Sequence, residues 1–186
     1  MKVMRKVNLA VCALALAVSS TTAFAATNGT VTFNGKLINE TCQIAPGTEN
    51  VVVDLPTLSI KSLAATGQEA GSTNFTISVI DCPKTVTKVA AHFEAINSDG
   101  VNSTTGNLTN SAVTDAATQA EVRLYNLSNN SQIRVGDTGE DFAVIHGADE
   151  NELGTTTLSY AGGYYATAAT TPGVVTAKVQ YVLAYN

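Results

Sequence analysis

Basic residues are scarce and tryptophan is absent in this 186-residue chain, which has 10 Lys and Arg against 15 Asp and Glu. Nucleic acids attract proteins through clusters of cationic side chains, and this composition supplies few of them. We therefore expect no nucleic-acid partner. With only two histidines, the chain also offers little material for a metal site.

The chain also lacks an apolar run long enough to cross a bilayer as a helix. The stretch from about Val7 to Val18 is shorter than the ~20 residues that a spanning helix needs. It follows three cations and precedes a run of small residues that ends at Ala25. This pattern predicts a secretory signal peptide over residues 1–25, an exported protein, and no insertion into a membrane.

Cysteine is scarce as well. Of the three cysteines, Cys12 lies in the predicted signal peptide, which leaves Cys42 and Cys82. In an oxidising compartment we expect these two to form a disulfide bond. No histidine lies near either of them in the sequence, so two free thiols or half a metal site is a weak alternative, and we expect neither a metal nor a cofactor.

The chain is rich instead in Thr, Val, Ala, Asn and Gly, and its apolar residues alternate over short runs. This pattern is typical of many short strands joined by turns, and it predicts a single-domain all-β sandwich, with a barrel as the alternative. We expect one helical turn at Thr57–Ala65 and either a long loop or a poorly ordered excursion over residues 97–120. The predicted strands are Asn50–Leu55, Phe75–Cys82, Val86–Ile96, Glu121–Asn126, Phe142–His146, Thr155–Ala166 and Val174–Tyr185.

The two ends of the predicted mature chain each resemble half of a strand pairing. Near the amino terminus, Val31, Phe33 and Leu37 share one face, on which Gly35 leaves a gap. At the carboxyl terminus, apolar residues alternate almost to the last residue. Such strands need partners, either each other within one chain or the matching strand of another chain. Periodicity alone does not decide between these alternatives.

Four motifs occur in order along the chain. They are Gly-Thr-Val-Thr-Phe-Asn-Gly-Lys-Leu-Ile-Asn-Glu-Thr-Cys (29–42), Phe-Thr-Ile-Ser-Val-Ile-Asp-Cys (75–82), Tyr-Tyr-Ala-Thr (164–167) and the ending from Pro172-Gly173 to Tyr185-Asn186. Together they resemble the motifs of chaperone-usher pilins, and in particular those of the major subunit of type 1 fimbriae. The resemblance covers essentially the whole chain after the signal peptide. It is specific because the motifs occur in the family's order and spacing.

This resemblance implies an immunoglobulin-like β-sandwich that lacks its final strand and is completed by a donor strand from another subunit. It divides the chain into an N-terminal donor-strand extension, residues 26–40, and a pilin domain, residues 41–186. The implied donor-strand residues are Val31, Phe33, Gly35, Leu37 and Asn39. The implied residues of the acceptor groove and of chaperone recognition are Gly173, Val175, Ala177, Val179, Tyr181, Leu183 and Tyr185.

The resemblance also implies a function, partners and a location. The expected protein is a structural subunit that polymerises by donor-strand exchange into a fimbrium and supports adhesion to host surfaces. Its expected partners are other copies of itself, a periplasmic chaperone, an outer-membrane usher, and tip or adaptor pilins. We expect export through the periplasm to the cell surface. A minor or adaptor pilin that binds near the tip is the alternative.

Residues that resemble catalytic motifs are isolated. Asp137-Thr138-Gly139 matches the aspartic protease triplet, but that chemistry needs two such carboxylates and the sequence has one triplet. His92 and His146 lie in predicted strands without a nucleophile motif nearby. The acidic group Asp149, Glu150 and Glu152 lacks the spacing of a calcium loop. We therefore expect no enzymatic activity.

Overall fold

The computed structural model describes residues 28–39, 41–149 and 152–185. The chain forms two units, Met1–Leu37 and Ile38–Asn186. The predicted signal peptide, Glu40 and Glu150 lie outside the described residues. Among the helices that are described, none has the length and apolar character to span a membrane.

The described part of the second unit folds into nine strands and one short 3-10 helix, Ile60–Leu63. In chain order the strands are β1 (Gln43–Ile44), β2 (Glu69–Cys82), β3 (Lys88–Glu94), β4 (Leu108–Thr109), β5 (Ala120–Asn126), β6 (Gln132–Ile133), β7 (Phe142–Ala143), β8 (Gly154–Ala166) and β9 (Gln180–Tyr185). The all-β prediction is confirmed. The 3-10 helix lies inside the predicted helical turn, and the hydroxyl of Ser59 accepts a hydrogen bond from the Lys61 N–H at 3.3 Å.

The strands form two separate antiparallel sheets, so the structure agrees with a sandwich and not with a closed barrel. The larger sheet has the order β1-β2-β8-β5-β4, with β6 also paired to β5. The smaller sheet has the order β7-β3-β9. Strand β9 therefore pairs only with β3, and its other edge has no strand beside it among the residues described here.

The core lies between the two sheets because every second residue of each central strand points inward. Ile77 of β2, Phe93 of β3, and Leu158 and Tyr160 of β8 are all fully or almost fully buried. The rings of Phe93 and Tyr160 meet edge to face, with 5.3 Å between their centroids. Each such side chain stabilises the fold by roughly 1.5–3 kcal/mol.

The predicted disulfide bond is confirmed. It joins Cys42, next to β1, to Cys82 at the end of β2, and both cysteines are buried. Their separation of 40 residues makes the closed loop long. In the chain-entropy account, a cross-link of this length stabilises the fold by about 4 kcal/mol.

The predicted strand Asn50–Leu55 is wrong, and the predicted strand Val174–Tyr185 is wrong in part. Residues 50–55 run alongside the domain without forming a strand, and the predicted strand Val174–Tyr185 becomes regular only from Gln180 onward. In both places the alternating pattern is present, but no neighbouring strand among the described residues supplies a hydrogen-bonding ladder. Alternation reports which side chains face the core, whereas a strand also requires a partner.

Of the two alternatives for residues 97–120, the structure agrees with the long loop and not with the poorly ordered excursion. This region contains β4 and buries Leu108 and Asn107 almost completely. The Asn107 amide donates to the buried carboxylate of Glu121 at 2.9 Å and accepts from Arg123 Nε at 3.0 Å and Gln132 Nε2 at 2.8 Å. These bonds fasten the loop to the large sheet, so its polar composition reflects a hydrogen-bonded network and not a lack of order.

Candidate functional site

The domain has a groove beside the segment that leads into β9 and beside the first two residues of that strand. We call residues 174–181 the carboxyl rim of this groove. Their exposure alternates as the sequence predicts, since Val175, Ala177, Val179 and Tyr181 are half-buried while the residues between them are exposed. The four half-buried side chains all line the groove. The carboxyl rim therefore directs its apolar face into the groove.

The outward peptide groups of the carboxyl rim are bonded to the loop of residues 98–117. Ser111 N–H donates to Thr176 O at 2.8 Å, and Asp99 N–H donates to Lys178 O at 2.9 Å. Val174 N–H donates to the carbonyl of Asp115 at 2.7 Å. The loop thus takes the place of a neighbouring strand along one edge of the carboxyl rim.

The other edge of the carboxyl rim is free. The N–H and C=O groups of Val175, Ala177 and Val179 have no hydrogen-bond partner within residues 28–39, 41–149 and 152–185. Alternate residues of an extended chain point their peptide groups to opposite edges, so these groups belong to the edge away from the loop. An unpaired edge of this kind is a template for another strand.

Residues 49–55, which we call the amino rim, form the opposite side of the groove. From Asn50 to Leu55 their backbone groups likewise have no partner among the residues that the structure describes. Val53 and Leu55 are half-buried and alternate with the exposed Val52 and Asp54. The groove is therefore bordered by two segments whose backbone carries free hydrogen-bonding groups.

The floor of the groove is formed by the inner face of the large sheet together with Phe93 of β3 in the smaller sheet. The groove has a volume of about 1020 Å³. The floor side chains come from β2, β3, β5 and β8, and they include Phe75, Ile77, Phe93, Val122, Leu124 and Tyr164. These residues were not assigned to the site from the sequence, although all of them lie within predicted strands.

Two tyrosines of β9 connect the last strand to the segment before the amino rim. The Tyr181 hydroxyl donates to Thr48 O at 3.2 Å, and the Tyr185 hydroxyl accepts from Cys42 N–H at 3.1 Å. Burial raises the pKa of both hydroxyls above the ordinary value of tyrosine. These bonds hold the two sides of the groove together at one end. Leu183 and Tyr185 pack on the core cluster rather than lining the groove.

Gly173 stands where the carboxyl rim begins, and its lack of a side chain allows a close backbone approach. A Cβ at this position would lie 2.4 Å from Ala117 N and 2.5 Å from Asp115 O. Both are backbone atoms, which cannot swing aside as a side chain does. Gly173 is therefore required for the loop to reach the rim. It is itself exposed and does not line the groove.

In the first unit, residues 28–37 contain no helix or strand. The side chains of Val31, Phe33 and Leu37 are 80%, 90% and 99% exposed. Gly35 is exposed as well, and so is Asn39 of the second unit. An apolar face this exposed on a short extended segment is costly in water and is typical of a segment that binds a partner.

The residues that resemble catalytic motifs are hydrogen-bonded to neighbouring backbone and side-chain groups. Asp137 O accepts from Phe93 N–H at 3.0 Å, and Gly139 N–H donates to Ala91 O at 2.9 Å, so the Asp-Thr-Gly triplet is a turn packed beside β3. His92 Nδ1 lies 2.9 Å from the Thr138 hydroxyl, and His146 Nε2 lies 3.0 Å from Val86 O. Among the described residues, no group of three or more potential ligands is placed to hold a metal ion.

Comparisons with known proteins identify the family. The family model described as "Type-1 fimbrial protein, A" matches residues 55–186. The major fimbrial subunit SMF-1 of Stenotrophomonas maltophilia is 40% identical over 168 residues, covering 87% of this chain and 94% of that protein. The F17 fimbrial protein of Escherichia coli is 36% identical, with coverage of 92% and 94%. The type-1 fimbrial protein A chain of Escherichia coli K12 is 31% identical, with coverage of 90% and 93%.

Solved structures agree on the fold. The crystal structure of the P pilus rod subunit PapA has a TM-score of 0.57 and 18% identity, and covers 78% of this chain and 99% of that one. The CupB6 tip adhesin from Pseudomonas aeruginosa gives a TM-score of 0.54 at 15% identity, covering 78% of this chain and 39% of that one. The predicted pilin fold, structural role and fimbrial location are thereby confirmed. The chain belongs to the type-1 fimbrial protein family of chaperone-usher pilins, whose members are structural, non-enzymatic subunits that polymerise with other subunits into surface fimbriae.

Proposed function

We propose that the groove is the acceptor for residues 31–39 of another copy of this chain, and that the protein polymerises by donor-strand exchange. One observation carries the proposal: the two segments that border an apolar groove both have backbone groups without a hydrogen-bond partner among the described residues. A strand inserted there finds hydrogen-bond partners on both of its edges and an apolar floor beneath it. A strand in that position completes the sandwich.

The dimensions of the three segments match. Residues 31–37, residues 49–55 and residues 175–181 each contain seven residues. At about 3.3 Å per residue, each spans about 20 Å when extended. A donor strand of this length covers the groove from one end to the other.

The chemistry of the donor segment suits the groove. Val31, Phe33 and Leu37 are exposed, and burying each of them stabilises a complex by roughly 1.5–3 kcal/mol. Each added ladder hydrogen bond contributes about 0.5–1.5 kcal/mol. Lys36 is the only charged residue of the segment 28–39, whereas the amino rim carries Glu49 and Asp54. This opposite charge favours the encounter of donor and acceptor.

The same open edge gives a periplasmic chaperone its binding site before assembly. A chaperone strand that pairs with the carboxyl rim protects the free edge from aggregation until an outer-membrane usher brings the next subunit. In this proposal Gly173, Leu183 and Tyr185 act beside the groove residues in chaperone recognition. The extension, residues 26–40, and the pilin domain, residues 41–186, then act as donor and acceptor.

The role as repeating rod subunit is supported by relatives. The protein of Stenotrophomonas maltophilia that is 40% identical is described as a major fimbrial subunit. A repeating subunit supports adhesion indirectly, because the rod carries tip or adaptor pilins away from the cell toward a host surface.

The decisive test moves the donor to its own acceptor. Residues 26–40 are appended to the carboxyl terminus through a short linker, and the free energy of unfolding is measured in denaturant. We expect a monomer several kcal/mol more stable than the unmodified chain, because three apolar side chains become buried. A matched control carries Gly35→Asn in the appended copy and should gain little. Equal stability of the appended and unmodified chains overturns the proposal.

A second experiment separates the rod from the adaptor role. The mature chain is expressed with a cognate chaperone, the chaperone is removed, and the product is viewed by electron microscopy. Long uniform filaments from this chain alone are the expected result. Short capped oligomers from a chain that passes the first test would assign it to the adaptor class.

A further inference from the structure

The segment proposed as the donor strand, residues 31–39, contains a reactive dipeptide, Asn34-Gly35. Asn34 and Gly35 are both exposed, and neither lies in a helix or strand. We propose that Asn34 deamidates spontaneously in the unassembled chain, that strand insertion protects it, and that the modified copy accepts a donor strand but no longer donates one. The reactivity of Asn34 is independent of the proposed function, whereas its protection and the loss of donation rest on it.

The reaction needs no enzyme or cofactor. After its proton is removed, the backbone nitrogen of Gly35 attacks Cγ of Asn34, and a C–N bond forms as the side-chain amide leaves as ammonia. The product is a five-membered succinimide. Water then opens the ring at one of its two carbonyls, which yields either aspartate or isoaspartate. The net change consumes one water and releases one ammonia.

Local structure decides how fast this ring closes. The attacking nitrogen must rotate toward the side chain, and glycine permits this best because it has no Cβ to restrict the backbone or shield the nitrogen. The chain contains two Asn-Gly pairs, Asn28-Gly29 and Asn34-Gly35, and both lie in the first unit. Asn129 is equally exposed but precedes Asn130, whose side chain hinders the approach.

Insertion into the groove removes this freedom at Asn34. In a strand paired on both edges the backbone is held extended, so the nitrogen of Gly35 reaches Cγ only after local opening. Asn28 lies three residues before Val31, outside the segment proposed to enter the groove. It remains reactive in a filament and serves as an internal reference.

The isoaspartyl product changes the donor strand itself. The main chain now runs through the former side chain, which inserts one extra carbon before Gly35. Gly35 and Leu37 then fall out of step with the ladder and with the groove floor, since register depends on the alternation of residues along the strand. The product also carries a new carboxylate. The groove of the same copy is unchanged, so a modified copy ends a growing filament.

Mass spectrometry of peptides tests the reactivity. The unassembled chain and its filaments are incubated in parallel in mildly alkaline buffer. The conversion of Asn28, Asn34 and Asn129 to aspartate or isoaspartate is followed over time. In the unassembled chain we expect Asn34 to react at a rate close to that of Asn28 and well above that of Asn129. In filaments we expect the ratio of Asn34 to Asn28 to fall about tenfold or more. Equal rates at Asn34 and Asn129 in the unassembled chain overturn the proposal.

Filament length tests the consequence. Subunits aged before assembly are mixed with fresh subunits, and the mean length should fall as the aged fraction rises. The variant Asn34→Thr cannot deamidate, and aging should leave its assembly unchanged. Aged chains should still bind a synthetic peptide of residues 28–39 as tightly as fresh ones. Equal shortening by aged wild type and aged Asn34→Thr, or an unchanged length with aged wild type, contradicts the proposal. If fresh chains form no filaments, the proposed function fails, and with it the protective role of assembly.

Discussion

The side-chain oxygen of Asn110 accepts a hydrogen bond from the backbone N–H of Thr176 at 2.9 Å. The amide nitrogen of the same side chain donates to Val174 O at 2.8 Å and to Ala117 O at 2.9 Å. One side chain therefore satisfies two outward peptide groups at the start of the carboxyl rim. It keeps the rim extended without a neighbouring strand, and it leaves the opposite edge free.

Replacing Asn110 by Asp tests this arrangement. The substitution keeps the shape but turns the donor nitrogen into an oxygen that faces two carbonyl oxygens, so we expect a loss of about 1–3 kcal/mol in the free energy of unfolding. Binding of a peptide of residues 28–39 should weaken as well, which fluorescence or calorimetric titration would measure. The control is Asn126→Asp. The Asn126 side chain donates to the Ser131 hydroxyl and accepts from the Glu140 N–H, both away from the groove. Unchanged peptide affinity in Asn110→Asp would show that the amide does not position the rim.

Gly173→Ala should damage the same rim by a steric route. The new Cβ would lie 2.4 Å from Ala117 N, so the loop or the rim must shift and the bond between Val174 N–H and Asp115 O is strained. We expect a loss of about 1–3 kcal/mol in denaturant unfolding. Gly162→Ala is the matched control, because its Cβ would meet its nearest neighbours at an ordinary 3.9 Å. Equal effects of the two substitutions would argue against a special role for the close approach at position 173.

Gly35→Asn should block polymerisation, because it places a polar side chain on the apolar face of the donor strand. The substituted residue lies outside the pilin domain, so unfolding in denaturant and formation of the chaperone complex should match those of the wild type. Filament yield by electron microscopy is the measurement. Thr32→Asn introduces the same residue on the opposite face and should still polymerise. Normal filaments from Gly35→Asn would contradict the proposed fit of the donor strand.

Tyr160→Phe should lower stability and change its dependence on pH. The hydroxyl accepts from Ala91 N–H at 2.9 Å and donates to Glu140 O at 3.0 Å, and burial raises its pKa from 10.0 to about 12. Because the folded pKa is the higher one, the contribution of this group is complete below pH 10.0 and is lost as the pH rises toward about 12.

The phenylalanine variant should therefore lose about 1–3 kcal/mol at neutral pH, since Ala91 N–H is left unpaired in the core. Its stability should also decline less steeply in the alkaline range. Denaturant unfolding at several pH values measures both effects. Tyr165→Phe is the control, because that half-buried ring lies beneath Arg123 and not in the core. A parallel alkaline decline in wild type and Tyr160→Phe would exclude Tyr160 as its source.

Sequence reasoning predicted the parts of the fold that depend on local pattern. The presence of β2, β3, β5 and β8 followed from apolar alternation over short runs, and the disulfide of Cys42 and Cys82 followed from export and cysteine number. It assigned four groove residues, from Val175 to Tyr181, through the family resemblance. It missed the amino rim as part of the groove, because a run such as residues 50–55 predicts a strand whether or not a partner exists.

The sequence by itself determined the cross-linked cysteines and the alternating apolar residues of segments 31–37 and 175–185, because each depends on neighbouring residues and on chemical type. Only the tertiary structure decided that two extended segments border one groove with their inner edges unpaired. It also decided that a polar loop, held by Asn110 and admitted by Gly173, replaces a strand beside the carboxyl rim. The hydrogen-bond partners of an extended segment lie far away in the sequence, and no local pattern specifies whether they are present.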